Sequence, residues 1–71
     1  MRVAALKELD VVALLRDKPD LGLRRGWVGT LLLRQAPGIW EVEFSDNDGR
    51  TVATAALDES DLLALQMNPA R

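Results

Sequence analysis

The chain has 71 residues, of which 48% are hydrophobic, and a formal net charge of −2. It contains no Cys and no His, so disulfides, thiolate zinc sites, redox motifs and an imidazole base are all excluded. No apolar run reaches the roughly 18 residues of a membrane span, and Lys7, Glu8 and Asp10 interrupt any signal-peptide core, so one cytoplasmic globular domain over residues 1–71 is expected.

Residues 1–9 read as a short helical turn or a loose arm, because Val3, Leu6 and Leu9 recur at a spacing of three. "DVVALLRD" is a short apolar run with charged ends, followed by a loop holding Pro19, Gly22 and Gly26. We therefore read Val11 to Arg16 as a strand. The second strand is "GWVGTLLLR", Gly26 to Arg34. A glycine inside a strand marks a bulge or a close backbone approach. A bulge at Gly29 would point Val28, Leu31 and Leu33 inward and leave Trp27 outward. "QAPG" is the next turn.

"IWEVEFSD" alternates Trp40, Val42 and Phe44 with Glu41, Glu43 and Ser45, a strand with one buried and one wet face. "DNDG" is a hairpin turn and "RTVATAAL" the fourth strand. Asp58 or Ser60 is placed to cap one tight turn before "DLLALQ", the fifth strand, and residues 67–71 are a fraying tail. Short strands at even spacing with turn signals between them describe a small all-β barrel. Its expected core is Val12, Leu14, Val28, Leu31, Leu33, Trp40, Val42, Phe44, Leu57 and Leu62.

The charge is unevenly spread: residues 1–36 carry +3 and residues 37–71 carry −5. Such asymmetry can steer a partner or favour head-to-tail association, unless the two halves interleave in space.

Taken together, "DVV-L", "GL--G-VGT", "EVEF-D--G-T-A" and "DLL-L" resemble a family of small bacterial proteins catalogued only as a domain of unknown function. The resemblance spans Leu6 to Leu65 and implies a five-stranded SH3-like barrel, similar to KOW modules and to the barrel of the nitrile hydratase β chain. It implies no activity. Trp27 departs from the family pattern, in which that position is usually polar because it faces away from the core.

The candidate sites are few. Gly26-x-x-Gly29 beside Arg24 and Arg25 has the composition of a backbone clamp. It opens a strand, however, and matches neither phosphate-binding glycine pattern, so fold punctuation with positive φ at Gly26 is the better reading. In "SDNDGR", an EF-hand register puts Phe44 at the first ligand position and Ala55 at the last, so a hairpin turn is expected rather than a calcium loop. Glu41 and Glu43 lie about 7 Å apart on one strand face and read as solvated charges rather than an acid–base pair. With Ser45 and Ser60 in or beside turns and no His or Cys, no nucleophilic dyad can be drawn. Catalytic, cofactor and metal residues are therefore not assigned.

The leading expectation is a non-enzymatic binding module that takes a small protein partner or a second copy of itself. One form of it is an accessory or antitoxin-like partner of a neighbouring gene product. Trp27, Arg24, Arg25, Pro19 and Leu21 are the expected contact. Trp27 is either a surface anchor or a lid over its own core. The alternative is KOW-like RNA binding through Arg24, Arg25 and Trp27, which the acidic balance opposes.

Overall fold

The computed structural model describes residues 6–65. They form strands β1 (Val11–Leu14), β2 (Val28–Ala36), β3 (Ile39–Ser45), β4 (Thr51–Asp58) and β5 (Leu62–Ala64), with 3-10 turns at Pro19–Leu21 and Glu59–Asp61. The strands make one antiparallel sheet in the order β4-β3-β2-β1-β5. The all-β class holds, and the sheet is open, with β4 and β5 at its edges. Among the described residues no helix is long and apolar enough to cross a membrane.

Among the described residues the expected N-terminal helical turn is not seen. Residues 7–10 make a non-helical turn: the Asp10 amide donates to the Lys7 carbonyl (3.1 Å), and Leu9 has φ 72°. The segment is not loose either, since the Leu9 amide donates to the Leu31 carbonyl (2.7 Å) and the Leu31 amide to the Asp10 carbonyl (2.9 Å). The expectations for residues 1–5 and for the tail 67–71 lie outside the described residues.

Strand β3 follows its sequence pattern. Trp40, Val42 and Phe44 are buried and face Leu57, Ala55 and Ala53 of β4 across the ladder. The buried core also holds Val12, Leu14, Leu31 and Leu62 as expected, and adds Leu23. Val28 and Leu33 are not in it: each is about half exposed, at 49% and 47%. Two features explain the correction. The register Val12↔Gly29 and Leu31↔Val42 turns Gly29 and Leu31 inward, so Val28 must point out. The bulge lies between Leu31 and Leu33 rather than at Gly29, so Leu33 comes opposite the outward-facing Glu41.

Gly29 is a close approach instead. A Cβ there would stand 2.8 Å from Val42 Cγ1 and 2.9 Å from both the Glu43 carbonyl oxygen and Phe44 Cδ1. The positive φ expected at Gly26 is present, at 90°.

The cap on the second 3-10 turn is Asp58, whose Oδ1 accepts the Ser60 amide at 2.8 Å. That backbone hydrogen bond holds the Asp58 carboxyl below its ordinary value of 3.8. The Lys7 side chain, and then the Lys7 amide, do the same for Asp10. A carboxyl whose folded pKa is depressed stabilises the fold above 3.8, and the contribution disappears as pH falls through the lower folded value. Melting temperature should therefore decline as pH drops from about 5 to 2, and less steeply in Asp58→Asn, whose amide oxygen still caps but no longer titrates.

Candidate functional site

The loop between β1 and β2 carries the residues singled out for partner contact. It is built on a backbone frame. The Leu14 amide donates to the Trp27 carbonyl (2.8 Å) and the Gly26 amide to the Leu14 carbonyl (2.7 Å), which closes the loop base. Lys18 and Leu23 exchange amide–carbonyl bonds of 2.9 and 3.0 Å, which closes its tip. Pro19 opens the 3-10 turn, a position where its missing N–H costs nothing. Leu23, 2% exposed, pins the loop to the core, while Leu21 on the other side of Gly22 is turned out to solvent. The alternation Leu21-x-Leu23 was the available signal for this anchor.

The five residues do not form one wall. Pro19, Arg24 and Arg25 line a concavity of about 570 Å³ together with Asp17, whose Oδ1 accepts the Arg25 amide at 2.8 Å. Leu21 lies beside it but does not line it. Trp27 lines a separate open cleft of about 450 Å³ with Val28, Phe44, Asn47 and Val52. Its ring also packs on Phe44, with centroids 6.2 Å apart and planes tilted by 58°. Trp27 covers the core, as one of its two readings expects, and it also lines the cleft. The outward orientation expected for it is corrected by the same register that exposes Val28.

The charge asymmetry of the chain largely closes on itself. Arg16 and Lys18 meet Asp61 at 2.9 and 2.7 Å, and Arg34 meets Glu59 at 3.9 Å. Glu59 also accepts the Trp40 indole N–H at 2.7 Å, and the Arg34 guanidinium sits 5.1 Å from the Trp40 ring centroid. Among the described residues neither the Arg24 nor the Arg25 side chain forms an ion pair.

The other candidates keep structural roles. Asp46 Oδ1 accepts the amides of Asp48 (2.9 Å) and Arg50 (3.0 Å), which spends it on the β3–β4 hairpin. Glu41 and Glu43 are half-buried and bonded to Gln35 and Thr51 respectively. The sequence reading did not single out Asp61, an acid only 5% exposed with two cations on it.

No curated protein and no solved structure matches the sequence. Residues 8–64 do match a domain family, and the match covers all five strands and both 3-10 turns. The chain thus belongs to the family described as Domain of unknown function (DUF4926).

Proposed function

We propose that this chain is a non-enzymatic, SH3-like binding module that docks a segment of a small partner protein. The observation that carries the reading is the Trp27 cleft. It is open to solvent, Val28 and Val52 in its wall are each about half exposed (49% and 51%), and Arg24 and Arg25, which form no ion pair among the described residues, line the separate concavity on the same loop. Aromatic and arginine side chains around such a depression are the composition of an interface anchor. The partner segment that fits is an apolar residue followed by carboxylates. The SH3-like form is supported by the β2–β3–β4 meander, the 3-10 turn after β4, and the return of β5 to pair with β1.

The test is capture from the native cell with tagged protein, using Arg24→Glu/Arg25→Glu alongside Trp27→Ala. The arginines are exposed, so the double variant should keep its fold. We expect one protein to be retained by the native chain and reduced at least about tenfold by both variants. Equal capture by all three sinks the reading. Retention of mixed RNA that is lost steeply as salt rises would replace it with the KOW-like alternative.

A further inference from the structure

Among the described residues no strand lies beside the outer edge of β4. Of the two sheet edges, β5 offers three residues, while β4 offers eight with the sequence TVATAALD. From Thr51 to Leu57 this strand has no charge, no proline and no large side chain on its outer face beyond Val52. Edge strands are normally blunted by lysine, proline or a bulge. The only such device here is a register irregularity at Val52, at the hairpin end.

The hydrogen-bond phase shows which backbone groups are unused. The Glu59 amide donates to the Gly38 carbonyl, which makes Asp58↔Ile39 a non-bonded pair. Bonded and non-bonded pairs alternate in an antiparallel ladder. Leu57, Ala55 and Ala53 therefore bond to β3, while Ala56 and Thr54 direct N–H and C=O away from it.

We propose that two copies of this chain associate through antiparallel β4–β4′ pairing about Thr54. This surface is distinct from the arginine loop and shares only Val52 with the Trp27 cleft, and the inference does not rest on the proposed function. The uncharged run is symmetric about Thr54, with Arg50 at one end and Asp58 at the other. A two-fold axis at Thr54 brings the Arg50 end of each copy toward the Asp58 end of the other. The same axis sets Thr54 against Thr54′ and Ala53 against Ala55′, so core-side residues stay on one face and outer residues on the other. Small side chains leave the edge clear, and the threonine pair is a favourable cross-strand contact. A strand-only interface is small, so the dimer is weak and concentration-dependent.

Because the chain lacks cysteine, one introduced thiol reads the register without ambiguity. Under mild oxidation, Thr54→Cys should form a disulfide-linked dimer at least about tenfold faster than Ala56→Cys, since only the residue on the axis meets its own copy within disulfide reach. Sedimentation equilibrium should show native protein dimerising as concentration rises. Arg50→Glu should weaken the dimer at least about tenfold through the acid pair it creates with Asp58′. Thr54→Lys, exposed and therefore compatible with folding, should abolish it. Arg24→Glu/Arg25→Glu should leave it unchanged, which separates this interface from the arginine loop. A monomer at every concentration, or equal cross-linking at the two positions, overturns the proposal.

Discussion

Gly29→Ala is expected to destabilise the protein by about 3 kcal/mol, the upper part of the range for forcing one methyl into a packed core. The reason is not backbone conformation. Three atoms of β3 lie within 2.9 Å of where the methyl would sit, and one is the Glu43 carbonyl oxygen, which cannot rotate aside. Phe44 could move only by disturbing Trp27, which packs against it. The remaining response is for β2 to lift from β3 at the centre of the sheet. A core this small supplies only about 3–5 kcal/mol in all, so the variant should keep about 0–2 kcal/mol and be partly unfolded at room temperature. Urea denaturation followed by circular dichroism measures the loss. Gly26→Ala provides the contrast: its methyl would meet nothing within 4 Å, and its cost is the φ of 90° alone, about 1 kcal/mol. If Gly29→Ala unfolded at the native urea midpoint, the close β2–β3 approach would be refuted.

Asp61→Ala is expected to cost about 2 kcal/mol, by removing a buried acid that holds the part-enclosed Lys18 and the largely exposed Arg16. Asp61 is the shared acid of Arg16 and Lys18. Its own carbonyl accepts the Leu15 amide at 2.8 Å, so the carboxylate and the backbone hold the same junction between β1, its loop and the start of β5. Removing the acid leaves two cations side by side, and Lys18 is the more enclosed of them. Buried ion clusters usually cost more to break than they contribute over apolar residues. The triple replacement Arg16→Met/Lys18→Met/Asp61→Leu should therefore return to within about 1 kcal/mol of the native chain. Thermal melts of the single and triple variants check both halves. A harmless Asp61→Ala would mean that the cluster is solvated and does not secure the junction.

These two residues mark where sequence reading reaches its limit. The period of two in "IWEVEFS" places Trp40, Val42 and Phe44 in the core without help from structure, because alternation is a local property. Composition likewise places the Asp46–Arg50 hairpin and the Asp58 cap, since both are made within a few residues. "GWVGTLLLR" is different. Three consecutive leucines satisfy either parity, and only pairing with β3 decides that the bulge falls after Leu31. Asp61 sits in a turn-like "DESD", and its importance comes from cations far back in the chain. Of the proposed contact surface, the residue types come from the sequence. Their division between two depressions was not, because it depends on how Leu23 pulls the loop down.

The pairing of the last strand with the first has a kinetic meaning. Strands β2, β3 and β4 follow one another through short turns, so each pairing closes a small loop, whereas Leu14↔Leu62 closes nearly the whole described chain. Loop closure over that span must be met before β5 returns any contact, and β5 has three residues with which to return it. The meander is thus the natural nucleus and β5 the latch that engages last and releases first. The rate at which the native state opens is then governed by the short stretch from Asp61 to Ala64 rather than by the aromatic core.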